Sequence, residues 1–325
     1  MEVAETDVLV VGGGGAAARA AIEARAHNSR VLLTCKGHLA RSGATPLARI
    51  TYCASFAHDD QMDTQLDHFR DTVIAGAYLN DQTLVEALVQ EAPIRMIDLE
   101  LYGGYFERID VDRYAAVKYP GYSHKRGCFY DRELQETGQM MMNALRGELI
   151  KCDVDVIEDI IITGLLVGEK GVRGATGIDY VGGRLITFRS KAVVLATGGA
   201  GQLYKLTTNP VESTGDGLAM AFRAGAEMVD MEMVQFYPLG LIHPGPKSLQ
   251  GLNIGYEILM PAGAVLLNDK REEFLGKHFP EGEILTRDLL SISICREIQE
   301  GRGTEHGGVY VDLSRVTWAT IESCL

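Results

Sequence analysis

The sequence predicts an α/β fold of the Rossmann type: a central parallel sheet, a small antiparallel meander beside it, and part of an α+β unit towards the C-terminus. Three adjoining stretches carry the first part of this reading. Asp7-Val-Leu-Val-Val11 is a short apolar run, Gly12-Gly-Gly-Gly15 is a glycine turn, and Ala16 to Ala24 is alanine-rich with apolar residues at helical spacing. Strand, turn and helix in that order open a dinucleotide-binding βαβ unit. In such a unit Gly12 allows the tight turn, Gly14 lets the backbone approach a pyrophosphate, and Ala17 is small enough for helix and strand to pack. The N–H groups that begin the helix point at the phosphates. A strand–helix turn that is merely tight would use the same small residues, so the motif by itself admits both readings.

Composition narrows the class. The 325 residues suffice for one large domain or two ordinary ones. A hydrophobic content of 46% and 37 glycines suit an α/β protein rich in tight turns. The formal net charge of −13 argues against nucleic acid or an anionic membrane surface as the main partner. No apolar run reaches the roughly 18 residues of a membrane-spanning helix, and no basic-then-apolar leader precedes Asp7. The chain therefore reads as cytoplasmic, at most peripheral at the inner face of a membrane through a partner. The cysteines at 35, 53, 128, 152, 295 and 324 form no C-x-x-C pair. Neither an iron–sulfur nor a zinc site is expected, and reduced, buried thiols are the reading.

Further along, Arg30-Val-Leu-Leu-Thr-Cys-Lys36 supplies the second parallel strand. In many such folds a carboxylate ends this strand and binds the adenosine ribose, roughly 20 residues after the glycines. Here that place holds Thr34, Cys35 and Lys36, which weakens a NAD-dehydrogenase reading. Lys36 is either a solvated lysine or a group beside a phosphate or ribose. Arg41-Ser-Gly-Ala-Thr-Pro46 is a small-residue loop, either an ordinary turn or a stretch lying against a ligand. Residues 58–101 have a helical pattern with a solvated acidic face (Asp59, Asp60, Asp63, Asp67, Asp71), and Asn80 or Asp81 caps the helix through Leu84 and Leu88. Residues 102–131, rich in Tyr, Gly and Arg, read as a long loop over a site or partner surface, with His124 an ordinary loop histidine. Thr137 to Leu149 forms a helix whose Met140, Met141 and Met142 pack in the core. Val154 to Val167 and the glycines of 168–174 and 182–183 mark the meander. Lys191-Ala-Val-Val-Leu-Ala-Thr-Gly-Gly-Ala-Gly201 repeats the opening logic, a buried strand that ends in glycines.

From there the runs become distinctive: Ala196-Thr-Gly-Gly-Ala-Gly-Gln-Leu-Tyr204, Thr207-Thr-Asn-Pro210, Thr214-Gly-Asp-Gly-Leu-Ala-Met-Ala221 and Met231-Glu-Met-Val-Gln-Phe236. With the N-terminal motif, they resemble the flavoprotein subunit of succinate dehydrogenase and fumarate reductase, of which L-aspartate oxidase is a close relative. The resemblance implies FAD as cofactor. It places Gly12, Gly13, Gly14, Gly15, Ala16 and Ala17 at the pyrophosphate and Lys36 at the adenosine ribose. It lays Ser42, Gly43, Ala44 and Thr45 along the flavin and puts Ile160 and Ile161 near the adenine. Thr197, Gly198, Gly199 and Asp216 line the dinucleotide, while Asp216 has a second reading as cap of the helix that begins near Gly217. Respiratory members often carry, where this chain has Gly43, a histidine joined covalently to the flavin. FAD is therefore expected without a covalent bond, with a lower potential that favours reductase or oxidase chemistry. The same resemblance divides the chain into an incomplete FAD-binding domain, residues 1–236, and part of a capping domain, residues 237–325.

In this family the cap closes a dicarboxylate over the flavin, a hydride moves between flavin N5 and one substrate carbon, and an arginine of an R-D motif exchanges a proton at the neighbouring carbon. Arg287-Asp288, in Leu285-Thr-Arg-Asp-Leu-Leu-Ser291, resembles that motif; a surface ion pair of Arg287 with Asp288 or Glu283 is the alternative. Arginine has a pKa above about 12 in water, so the role needs a site that eases deprotonation. Tyr237 stands in place of the family's substrate-binding histidine, and Leu239 in place of a threonine. Gly255-Tyr-Glu-Ile258 keeps Glu257 but puts Tyr256 where the family has a carboxylate-binding threonine. The family's R-G-E-G run becomes Met260-Pro-Ala-Gly263. Cationic and hydroxyl donors suit a carboxylate; a Tyr/Leu/Met set suits a larger or less charged molecule. Arg287, Glu257 and Tyr237 are the candidate catalytic residues. The expected substrate is a carboxylate or related small molecule, and the expected electron partner is an iron–sulfur subunit. Val309 to Ser314 resembles a strand of the cap, beyond which the family continues with a second histidine and arginine, a flavin-facing G-E segment and a helical domain. The chain is thus expected to be a fragment, or to take that part from a separate chain, with apolar sheet edges exposed and poor solubility alone. Two other readings compete: a flavin-binding electron-transfer or scaffold subunit without dicarboxylate chemistry, and an NAD-dependent Rossmann enzyme.

Overall fold

The glycine turn leaves the middle of a parallel sheet. The structure, a computed structural model, describes residues 2–49, 51–56, 62–131, 136–243, 245, 252–279 and 286–324. Strand β2 (Val8–Val11) pairs in parallel with β3 (Val31–Thr34) on one side and β13 (Ala192–Leu195) on the other, and β9 (Asp155–Ile157) adds beyond β3. Leu9 and Val10 are both fully buried, in separate clusters on opposite faces of the sheet. A strand covered on both faces reads as a continuous apolar run rather than an alternation. Helix α1 (Gly15–Ala26) buries Ala17, Ala18, Ala21 and Ile22 against one face. Its alanines let the helix lie close to the strands, and α4 (Thr137–Lys151) packs beside it with Met140 and Met142 buried.

The other face carries the meander β10 (Ile160–Gly168), β11 (Gly171–Asp179) and β12 (Arg184–Arg189). An unforeseen strand, β1 (Glu2–Glu5), pairs in parallel with β12 and makes this a four-stranded sheet. Only Ala4 of those four residues packs against the core, so they carry no apolar signal of their own.

Several expectations need correction. The helical pattern of 58–101 breaks into α2 (Gln65–Ala75) and α3 (Gln82–Leu101), with Gly76 ending the first. Asp81, not Asn80, caps α3 by accepting the Thr83 N–H at 2.9 Å; Asp59 and Asp60 lie outside the described residues. Asp63 and Asp71 are not on a solvated face, because both bind the fully buried Arg126 guanidinium, each at 2.7 Å. Segment 102–131 is not one loop. It holds the short strands β5 (Arg108–Asp110), β6 (Arg113–Tyr114), β7 (Ala116–Val117) and β8 (Gly127–Cys128), the last two forming a small sheet with β4 (Tyr52–Cys53). The described cysteines are free, but only Cys35 and Cys128 are buried; Cys53 and Cys152 are half-buried and Cys295 is exposed.

After α5 (Asp216–Arg223) come α6 (Tyr256–Leu259), β14 (Val265–Leu267), α7 (Leu275–His278), α8 (Arg287–Glu297), β15 (Tyr310–Asp312) and α9 (Trp318–Cys324). Here β14 and β15 pair antiparallel, around cores drawn from residues 237–321. The Glu297 side chain is fully buried in this unit and accepts hydrogen bonds from Arg302 at 2.6 and 2.7 Å. That guanidinium holds the Glu297 pKa at about 2, against 4.5 ordinarily. A depressed carboxylate pKa stabilises the fold above the unfolded value, and that stability is lost as pH falls through the folded one. Melting temperatures of the wild type are therefore expected to fall between about pH 4.5 and about pH 2 more steeply than those of Glu297→Gln; parallel curves would refute the assignment.

Among the described residues β13 is an edge strand, and apolar side chains that follow it, including Leu203, Val211, Phe222, Val229 and Phe236, lie exposed. No helix among them is long and apolar enough to cross a membrane, and no cluster of His, Cys, Asp and Glu is arranged to hold a metal ion.

Candidate active site

The first part of the site is where three strand ends meet. Gly12 has φ +136°, and a Cβ there would lie 2.1 Å from the Ala196 carbonyl oxygen, so no residue with a side chain fits between β2 and β13. The Gly12 N–H donates to Thr34 O at 2.8 Å, which ties the turn to the end of β3. This is the carboxyl end of the parallel strands, where open α/β sheets bind ligands. Helix α1 starts there with Gly14 as N-cap, a residue with no side chain of its own to bond the helix N–H groups. The Gly15 N–H donates to Thr45 Oγ1 at 3.0 Å, which pins the 42–45 loop to the helix start. Gly198 and Gly199, just past β13, are exposed on the same rim.

Lys36 is not a solvated lysine. Its Nζ lies 2.7 Å from Asp216 Oδ2 and 2.5 Å from Thr214 Oγ1. Burial works against the ionised form of Asp216, but the bonds from Lys36 and Thr214 outweigh it and hold its pKa below the usual carboxylate range. Asp216 does not cap α5: Gly215, in the left-handed region, is the N-cap, without a side-chain bond. A Cβ at Gly217 would sit 1.8 Å from Thr197 Oγ1, so the second glycine of T-G-D-G lets α5 close onto Thr197. Ile160 is core-buried and Ile161 is 37% exposed; the Ile160 N–H donates to Cys35 O at 3.0 Å, which brings the start of β10 beside Lys36. Two residues here had no motif to announce them. Tyr180 Oη lies 3.0 Å from the Lys36 carbonyl and 2.8 Å from Asp159, and Glu212 accepts the Gly43 N–H at 3.3 Å. A small-residue floor, a helix N-terminus whose cap residue is a glycine, and a Lys–Asp pair at the end of β3 fit a dinucleotide pyrophosphate and ribose.

The second part surrounds the start of α8. Arg287 Nη2 donates to Glu257 Oε1 and Nη1 to Gln235 Oε1, both at 3.1 Å, and Tyr237 Oη donates to Glu257 Oε2 at 2.5 Å. The Tyr237 and Tyr256 rings meet edge-on at 5.4 Å, and the guanidinium lies 5.3 Å from the Tyr237 ring. Arg287, Glu257 and Tyr237 thus come together as the sequence suggests, but the partner of Arg287 is Glu257. Asp288 instead accepts from the Thr286 hydroxyl, while Glu283 and Leu285 lie outside the described residues. Burial disfavours the Arg287 cation, yet Glu257, Tyr256 and Tyr237 more than offset this and hold its pKa above the ordinary value. Burial, with the Glu257 charge, pushes the Tyr237 pKa up and keeps it a neutral phenol. The arrangement is an oriented cation with its side chain 45% exposed, backed by a carboxylate that is 5% exposed. It suits anion binding and keeps Arg287 a cation; its raised pKa is the reverse of the eased deprotonation that proton transfer by this residue requires.

A βαβ cradle with a second glycine-ended strand alongside defines a dinucleotide-binding protein. A family described as "FAD binding domain" matches residues 7–323, and the chain belongs to that family. Its cofactor is FAD, which removes the basis for the NAD alternative. The chain is 41% identical to a fumarate reductase (CoM/CoB) subunit of Methanothermobacter marburgensis, over 100% of this chain and 58% of that protein. It is 31% identical to a mitochondrial succinate dehydrogenase (ubiquinone) flavoprotein subunit of Xenopus laevis, over 99% of this chain and 48% of that one. It superposes on the quinol fumarate reductase flavoprotein of E. coli with a TM-score of 0.85 at 30% identity, over 100% of this chain and 56% of that one. The resemblance to fumarate reductase and succinate dehydrogenase flavoproteins therefore holds along the whole chain, which spans about half the length of these relatives.

Proposed function

We propose that this chain is the FAD-binding and substrate-facing part of an oxidoreductase that transfers a hydride between flavin N5 and a carbon of a carboxylate-type substrate, and exchanges electrons with an iron–sulfur subunit. When bound, FAD supplies the hydride acceptor or donor. Gly12 to Ala17 hold the pyrophosphate, Lys36 and Asp216 the ribose end, Ile160 and Ile161 the adenine side, and Ser42 to Thr45 with Thr197 to Gly199 the remainder. Gly43 offers no side chain for a covalent link, so FAD is held non-covalently. Arg287 orients a substrate carboxylate and gives the proton, with Glu257 fixing its guanidinium and Tyr237 fixing Glu257. In this reading residues 1–236 are the FAD-binding domain and 237–325 part of the cap. The apolar residues exposed after β13 are covered by the part of the fold that the longer relatives possess, in the same or a separate chain. The whole works as a cytoplasmic or membrane-peripheral complex.

The observation that carries this reading is the Arg287–Glu257–Tyr237 cluster, tied to the FAD-binding part through Gln235 and through the Ser291 hydroxyl, 3.1 Å from Phe236 O. The phenols at 237 and 256 favour a second reading, a flavin-binding electron-transfer or scaffold subunit. Full-length protein purified with its partners tests both. Acid precipitation should leave FAD in the supernatant; flavin in the pellet would refute non-covalent binding. Oxidation of a reduced dye driven by α,β-unsaturated carboxylates supports the enzyme, and none with any of them supports the scaffold.

A further inference from the structure

We infer that Glu212 is a positioning residue of the FAD site: its carboxylate fastens the backbone of Gly43, and with it the Ser42–Thr45 loop, to the T-G-D-G segment. This rests on the reading that the loop lies along the flavin half of FAD, and it names what holds the loop there. Glu212 belongs to no motif; it stands two residues before Thr214-Gly-Asp-Gly217. The Gly43 N–H donates to Glu212 Oε2 at 3.3 Å. The other carboxylate oxygen covers Gly37, where a Cβ would lie 3.4 Å from Oε1. Both oxygens therefore face the stretch that runs from the end of β3 to the loop. Lys36, at the start of that stretch, binds Thr214 Oγ1 at 2.5 Å and Asp216 Oδ2 at 2.7 Å. Residues 36–43 are thus docked at both ends on residues 212–216.

The backbone that carries Glu212 is itself tied down. The Gln202 side-chain amide donates to Asn209 O at 2.9 Å and to Pro210 O at 3.2 Å. The Gln202 N–H donates to Ser213 O at 2.9 Å, and the Gly215 N–H to Gly199 O at 3.2 Å. The first part of the facing stretch is also fixed: Glu158 accepts the Leu39 N–H at 2.8 Å, and Gln139 donates to Ala40 O at 2.9 Å. Gly43 is different. It has no side chain to pack, its φ is +85°, and a Cβ on it would meet nothing within 4 Å among the described residues. Its N–H is the handle by which this part of the loop is held, before Thr45 takes over by accepting the Gly15 N–H. Carboxylates accept N–H bonds more strongly than neutral oxygens do. Glycine has the widest backbone freedom to lose, so fixing Gly43 before FAD arrives removes an ordering cost that binding would otherwise carry. The effect belongs to the flavin half. The pyrophosphate is assigned to Gly12 to Ala17, and Lys36 keeps its bonds to Thr214 and Asp216 without Glu212.

The test uses full-length protein stripped of FAD and titrated with FAD and with ADP, which share adenosine and pyrophosphate and differ in the flavin half. Calorimetry gives both Kd values without turnover. Glu212→Ala should weaken FAD about 10-fold, the worth of one hydrogen bond to a charged acceptor, and leave ADP within about 2-fold. Glu212→Gln keeps an acceptor oxygen and should recover most of the FAD affinity. An unchanged FAD Kd in Glu212→Ala, or FAD and ADP weakened alike, overturns the inference. Gly14→Ala is the control and should weaken both ligands. If it weakens neither, the reading of the glycine turn as the pyrophosphate site fails alone, because the FAD-to-ADP ratio still reports on Glu212.

Discussion

Replacing Arg287 by alanine is expected to cut turnover by about three orders of magnitude while leaving FAD bound, the usual cost of losing a positioned proton donor. The structure explains why the loss should be in rate. Arg287 lies on α8, touches Gln235 and Glu257, and has no bond to the glycine cradle around Gly12. Arg287→Lys should recover little, because a single ammonium cannot make both of those bonds in the geometry of the planar fork. Glu257→Gln should cost less than Arg287→Ala, roughly 10- to 100-fold, since it loosens the guanidinium without removing it. Steady-state dye oxidation, normalised to bound flavin, is the measurement. An Arg287→Ala protein that keeps more than about a tenth of the wild-type rate would remove Arg287 from the chemistry.

Gly12→Ala should fail earlier, at folding and cofactor retention. Its methyl group would lie 2.1 Å from the backbone oxygen of Ala196, which directly follows the neighbouring strand β13 and cannot swing aside, at a φ of +136° that L-residues avoid. Overpacking and backbone strain together are expected to cost about 3 kcal/mol or more, seen as a lower melting temperature and a colourless protein. Gly14→Ala provides the contrast. Its methyl would meet only the Thr45 hydroxyl at 3.2 Å, a side chain that can give. That variant should fold with near-normal stability yet bind FAD weakly, because the close approach to the pyrophosphate is what it blocks. If both variants hold FAD as well as the wild type does, the glycine turn is not the pyrophosphate site.

Much of the N-terminal part is legible in the chain because its signals are local. Val8 to Val11 is covered on both faces, the glycines follow at once, and the alanines of α1 keep helical spacing; no distant residue is needed to recognise them. The Ala196 to Phe236 runs are equally local, and with them the family follows. The acidic residues just before and on α2 show where such reading stops. Asp63 and Asp71 look like a solvated face until Arg126, more than fifty positions away, closes over them. Asp216 likewise looks like a helix cap, and Lys36 takes it instead.

What the sequence alone determined is the cradle and its cofactor class, since strand, glycine turn and helix are consecutive and their spacing is the chemistry. Only the tertiary structure decided which carboxylate holds Arg287, which lysine meets Asp216, and that Arg126 lies buried between Asp63 and Asp71. Those pairings join residues far apart in the chain, and periodicity carries no record of them. An ion pair or a hydrogen bond depends on where two strands end, and that is set by the packing of sheets and helices rather than by any single stretch.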